Sequence, residues 1–331
     1  MLDQPILFDP ALPKAVMPRL AAYAATPFVR HQTAGREVWI KDETARFGLG
    51  AFKALGGVYA VATLLSRATG IADPLSAEAR KAAQAITFVC ASAGNHGMAV
   101  AAGAKLFGAK SRVHISDTVS ETFADRLRGQ GAEVARSGAT YEDSIAAAIE
   151  DAATTGAHHL ADLSWEGYDE PPRLVMEGYT LMAEEMRAEL EAHGNWPTHV
   201  YLQAGVGGLA GAVAYMIRQN WQVQPEITVV EPEAAPCLKA TVEAGQMTTV
   251  KGPISAMGRL DCKTASALAF EVLRKTADRF VTVSEEEAAR AVDQAETLGF
   301  DTTPSGAAGL AAMAREPADG RALCIISEGA F

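Results

Sequence analysis

The chain has few cysteines and none that are paired. The four present in 331 residues, Cys90, Cys237, Cys262 and Cys324, form no C-x-x-C motif and share no spacing with histidine. That excludes a disulfide-stapled framework and argues against a structural zinc site. An excess of base is also missing. With 29 Lys and Arg against 40 Asp and Glu the formal net charge is −11, so the summed field repels phosphate backbones and anionic lipid, and no nucleic-acid partner is expected. No apolar run is long enough to cross a bilayer, and the start, MLDQPILFDPALPKAV, places acid and proline where a secretory signal needs base and an apolar stretch. Low-complexity tracts and short repeats are absent. A folded, cytoplasmic protein is the resulting expectation, with Cys90 and Cys324 as reduced thiols inside apolar runs.

Hydrophobic residues make up 49% of the chain, enough to fill the core of one large or two ordinary domains. Apolar runs at 86–91, 112–116, 199–204, 226–231, 280–284 and 322–327 predict strands. Between them, alanine-rich stretches at 54–67, 98–106, 140–153 and 285–298 predict helices. This alternation is the layout of an α/β protein with doubly wound parallel sheets. In the first helix Leu55, Val58, Ala62 and Leu65 recur near the helical period and predict one buried face. The polar, aromatic stretch LADLSWEGYDEPPR, 160–173, holds two prolines that forbid a continuing helix and marks a plausible domain crossing.

In open parallel sheets ligands bind beyond the carboxyl ends of the strands, and three such places carry unusual residues. The first is QAGVGGLAGAV, 203–213, where glycines allow backbone N–H groups to approach a phosphate ahead of a helix N-terminus. Gly205, Gly207 and Ala210 also satisfy the dinucleotide pattern G-x-G-x-x-A, with Glu231 near the expected spacing, so a nicotinamide oxidoreductase is a rival. The second is SAGNHG, 92–97, where Asn95 and His96 stand between glycines at a strand mouth. His96 alone is equally a satisfied loop histidine. The third is AFKALGG, 51–57. Lys53 sits among apolar residues just before a helix start, where burial and the helix dipole both disfavour an ammonium and favour a nucleophilic amine. A lysine that merely snorkels to solvent satisfies the same pattern.

Taken in order, KDETARFGLGAFKALGG, SAGNHG, the glycine-rich loop and ISEG near the end resemble the fold type II pyridoxal-phosphate enzymes, the tryptophan synthase β group. RFGLGAFKALGG with DLSWEGY looks most like the diaminopropionate ammonia-lyases, with serine/threonine dehydratases as wider relatives. The resemblance implies two domains with the site in the cleft between them: a large one from 1–86 and 165–331, and a small mobile one from 87–164. It implies that Lys53 carries pyridoxal 5′-phosphate as a Schiff base and moves the substrate Cα proton. Asn95 would meet the ring 3-oxygen, the backbone of Gly205, Val206, Gly207, Gly208 and Leu209 the phosphate, and Ser327 the ring nitrogen. Ser92, Ala93, Gly94 and His96 would bind the amino-acid substrate, and Asp162 would contact its amino group and transfer protons. Family members are commonly homodimers.

One position departs from the ammonia-lyase pattern. Those enzymes carry an aspartate before GNHG, associated with the D-isomer of the substrate, whereas this chain has Ala93 in the dehydratase pattern. The expectation is an α,β-eliminating ammonia-lyase with weak or no activity on D-diaminopropionate. A serine/threonine dehydratase is the nearest alternative, and an idle cofactor-binding protein a remote one. The sequence stops four residues after Ser327, so no regulatory domain is expected there.

Overall fold

All six expected apolar runs are strands. The computed structural model describes residues 7–33, 35–317 and 319–330. Among these, ten strands form two sheets: β1 (Phe28–Thr33), β2 (Arg36–Asp42), β3 (Thr87–Ala91), β4 (Lys110–Ile115), β5 (Glu133–Arg136), β6 (His158–His159), β7 (His199–Gln203), β8 (Glu226–Pro232), β9 (Arg279–Val283) and β10 (Arg321–Ile326). The chain divides into two units. One holds the chain up to Phe52, Leu163–Asp169 and Tyr179 onward; the other holds Lys53–Asp162 and Glu170–Gly178.

The second unit is built on the sheet β5-β4-β3-β6, in which every pairing is parallel. Its helix Lys53–Thr69 is not amphipathic as the periodicity suggested. Ala54 through Ala62 are all buried, so the first half of this helix is covered on all sides, as a segment in the middle of a core must be, while Arg67 and Ala68 near its end are exposed. Gly57 permits that burial: a Cβ there would lie 2.6 Å from the Ala99 Cβ on the helix Asn95–Phe107.

The first unit is built on β1-β2-β10-β7-β8-β9, parallel except for the antiparallel edge strand β1. Its core gathers Val38, Ile40, Tyr201, Val230, Cys324 and Ile326 from the sheet against the helix Pro304–Arg315. Strand β2 was not expected, because it carries Lys41 and precedes Glu43 and Arg46, all at most 1% exposed. These charges are buried as a network. Arg46 donates to both oxygens of Glu43 (2.7 Å each) and of Glu185 (2.7 and 2.9 Å), to Thr26 Oγ1 and to the Ala24 carbonyl. Lys41 Nζ donates to Glu185 (2.6 Å) and the Thr26 carbonyl (2.7 Å), and Tyr23 donates to Glu185 (2.7 Å).

No helix runs into Pro171 and Pro172, as the sequence suggested, but one begins at them. They lie in the first turn of the helix Glu170–His193, where the missing N–H is one that no helical carbonyl would accept and the fixed φ suits the helix. None of the helices among the described residues is long and apolar enough to cross a membrane.

Candidate active site

Lys53 is the first residue of its helix, and its ammonium pairs with the Asp162 carboxylate; the two side chains are 22% and 18% exposed. The apolar neighbourhood expected around Lys53 is therefore incomplete, because a carboxylate faces the amine and favours its charged form. Burial alone would raise the Asp162 carboxyl. The Lys53 ammonium outweighs that and holds it well below the usual carboxylate range. Paired with the Lys53 ammonium, Asp162 is accordingly an anion.

SAGNHG follows β3 and turns into the helix Asn95–Phe107, with Gly94 at the cap. Ser92 Oγ accepts from the Gly94 N–H at 3.2 Å, and Ala93 lies between them. Asn95 and His96, 8% and 4% exposed, occupy the first helical turn. His96 Nε2 lies 2.8 Å from the Leu160 carbonyl, so this nitrogen carries the proton, and burial lowers the imidazole below its ordinary value against the pull of Asp162. A neutral histidine held to the backbone two residues before Asp162 fits the satisfied-loop alternative, while its place in the turn keeps it beside the other SAGNHG residues. Lys53, Asp162 and SAGNHG all belong to one unit.

The other unit carries the remaining motifs. After β7, Gly205, Val206 and Gly207 lead into the helix Gly208–Asn220, with Leu209 as its second residue. Gly207 has φ +100° and caps the helix; a Cβ there would sit 2.9 Å from the Ala269 Cβ. A Cβ on Gly205 would be 3.0 Å from both the Arg259 carbonyl and Cys262 Sγ. The loop is thus shaped by residues without side chains at the N-terminus of a 13-residue helix, where unpaired N–H groups and the helix dipole favour an anion. These residues fit the phosphate of pyridoxal phosphate. Ser327, 4% exposed, follows β10. Its carbonyl accepts from the Phe52 N–H at 3.1 Å, and Ala51 bridges Glu328, so the residues just before Lys53 are stitched to ISEG by backbone bonds.

Glu231 removes the main support for the nicotinamide alternative. It is fully buried, and its carboxylate accepts from the Leu238 and Lys239 N–H groups at 2.7 and 2.8 Å. It therefore caps the helix Cys237–Ala244 and is not presented to a ribose. Burial pushes its carboxyl up to about 7 despite those bonds.

Two groups near these motifs had no sequence signal. The Arg46 network braces the stretch leading to Lys53, and Ser164 binds residues more than 100 positions away. Local spacing contains nothing of either.

Parallel sheets, a lysine at a helix start and a glycine-formed loop at a helix N-terminus are features of cofactor-dependent α/β enzymes. The chain belongs to the family of pyridoxal-phosphate dependent enzymes, whose model matches residues 20–328, and its cofactor is pyridoxal phosphate. It is similar to the diaminopropionate ammonia-lyase of Escherichia coli (strain K12), 32% identical over 281 residues that cover 82% of this chain and 71% of that protein. The Salmonella typhimurium (strain LT2) diaminopropionate ammonia-lyase is 34% identical over 303 residues, 86% of this chain and 75% of its own. Among solved structures, Escherichia coli diaminopropionate ammonia lyase in complex with D-serine superposes with a TM-score of 0.88 at 28% identity, covering 99% of this chain and 91% of that one.

Proposed function

We propose that this protein is a pyridoxal-phosphate-dependent ammonia-lyase that eliminates ammonia from a small amino acid bearing a β-amino group, of the 2,3-diaminopropionate type, to give a 2-oxo acid such as pyruvate and ammonia. The observation that carries the reading is Asp162, an ionised carboxylate already paired with a primary ammonium. A diamino acid brings an extra ammonium that the same carboxylate accepts; serine and threonine bring only a hydroxyl.

The bound cofactor supplies an electron sink for the Cα carbanion. The chain's own residues supply the rest. Lys53 would hold the cofactor and, as a free amine, would take the Cα proton. Asp162 holds the β-ammonium in line to leave; because that group is already protonated, an anion suits it better than an acid. The Gly205–Leu209 backbone would hold the phosphate, Asn95 the ring 3-oxygen and Ser327 the ring nitrogen. Ser92, Ala93, Gly94 and His96 present the turn and helix N-terminus that take the substrate carboxylate.

Ala93, in the SAGNHG pattern, favours one second reading: a serine/threonine dehydratase on the same scaffold. Borohydride reduction followed by peptide mapping, together with keto-acid release from 2,3-diaminopropionate, serine and threonine, tests both. Label on Lys53 and fastest turnover of diaminopropionate support the lyase. Faster turnover of serine or threonine replaces it with the dehydratase, and a protein that never takes up the cofactor rejects both. The reading also carries a cytoplasmic homodimer, to be tested by light scattering, and a mobile segment 87–164, to be tested by hydrogen exchange with and without substrate.

A further inference from the structure

Ser164 lies two residues after Asp162 and is 2% exposed. Its N–H donates to Ser266 Oγ at 3.1 Å, the two hydroxyls lie 2.9 Å apart, and Ser164 Oγ accepts from the Leu268 N–H at 2.7 Å. The Ala267 N–H donates to its carbonyl at 3.1 Å. Ser164 thus caps the helix Ala267–Thr276 from outside, in place of Ser266, whose own hydroxyl makes no cap bond. Ser266 in turn donates its N–H to the carbonyl of Val206, inside the glycine-rich loop, at 3.0 Å. Ala269 of the same helix is the residue a Cβ on Gly207 would strike.

We propose that Ser164 is a positioning residue: through Ser266 and Val206 it sets the backbone that cradles the cofactor phosphate, and so ties phosphate affinity to the segment carrying Asp162. This rests on the glycine-rich loop being the phosphate cradle. Coupling of this kind is carried by a contiguous hydrogen-bond network, and both ends feel the loss of one member.

The test compares binding of pyridoxal phosphate with that of pyridoxal, which lacks the phosphate, by fluorescence titration of the full chain and its Ser164→Ala, Ser266→Ala and double variants. Leaving one buried partner unsatisfied weakens pyridoxal phosphate by about tenfold and pyridoxal by under about twofold in Ser164→Ala. The double variant is no worse than the more affected single, since both remove the same network. Equal loss for the two ligands assigns Ser164 a general structural role and overturns the inference. Wild-type protein that discriminates by phosphate, with a Ser164→Ala variant that binds both ligands normally, overturns it alone. Wild-type protein that does not discriminate overturns the cradle reading and this inference with it. If Ser164→Ala does not fold, Ser266→Ala decides, because it deletes the Ser164 acceptor while keeping the backbone bond to Val206.

Discussion

Replacing Arg46 by methionine is predicted to destabilise the protein by more than an ordinary core substitution. Lys41, Glu43, Arg46 and Glu185 sum to zero charge in a site where Arg46 and Glu43 are 0% exposed and Glu185 9%. Methionine keeps most of the volume but deletes six hydrogen bonds and leaves two carboxylates against one lysine. Removing one partner of such a buried group costs about 3–5 kcal/mol, because the remaining charge stays desolvated. At about 2.1 cal/mol/K per residue the unfolding entropy of a chain this long is roughly 0.7 kcal/mol/K, so the loss reads as about 4–7 °C in Tm. The assay is calorimetry on wild type, Arg46→Met, Glu43→Gln and the double variant at one fixed cofactor concentration. The double variant restores a one-to-one pairing of Lys41 with Glu185 and recovers about 1–3 kcal/mol relative to the sum of the singles. A loss below about 1 kcal/mol for Arg46→Met, or strict additivity, would refute the idea that charge compensation holds this site together.

Asp162→Asn should lower kcat by about 10²–10³-fold with cofactor retention unchanged, since it removes the charge but not the shape; borohydride labelling of Lys53 at wild-type level beside the lost turnover checks it. L-diaminopropionate should be turned over well ahead of the D-isomer, and Ala93→Asp should raise D-isomer turnover; equal rates for both enantiomers in the wild type contradict this. Glu231 should make stability pH-dependent. Burial holds its carboxyl at about 7 in the folded chain, above the ordinary carboxyl range near 4.5, so its contribution is fully present below about pH 4.5 and is lost as pH rises through 7. That amounts to about 3 kcal/mol. Urea unfolding at pH 5 and pH 8 should show a smaller decline in Glu231→Gln than in wild type, and parallel declines would count against it.

The strands β3, β4, β7, β8 and β10 were legible because both their faces are largely buried, which forces unbroken apolar runs; β9, a half-buried edge strand, was legible from its β-branched and aromatic residues. β1 and β2 were not. β1 is a half-exposed edge strand, and β2 hides its burial behind Lys41, whose charge is answered by Glu185 from 144 residues away. The proline pair rightly barred a helix from running through it, but the new helix it opens was not foreseen, because a proline suits a helix's first turn as well as its end. Of the proposed site, the glycine-rich loop and SAGNHG stand out in the sequence because close backbone approach needs glycine locally. That Lys53 faces Asp162 was not visible from the apolar letters around it. The pairs Ser164 with Ser266 and Arg46 with Glu185 could not be read at all, since each is made by the tertiary fold across more than a hundred residues.

The division of the chain has a consequence for how this enzyme can be altered. The backbone enters the second unit between Phe52 and Lys53 and leaves it between Asp162 and Leu163, so the paired amine and carboxylate are the terminal residues of one continuous segment. Everything that meets the substrate in the proposed mechanism, SAGNHG included, travels inside that segment, while the phosphate loop and Ser327 stay outside it. A cassette of residues 53–162 exchanged with a relative would carry the lysine, SAGNHG and the carboxylate together as a single inheritable block, and only the phosphate and ring-nitrogen contacts proposed for the other unit would stay behind. Two crossovers, each beside one of the paired side chains, would suffice.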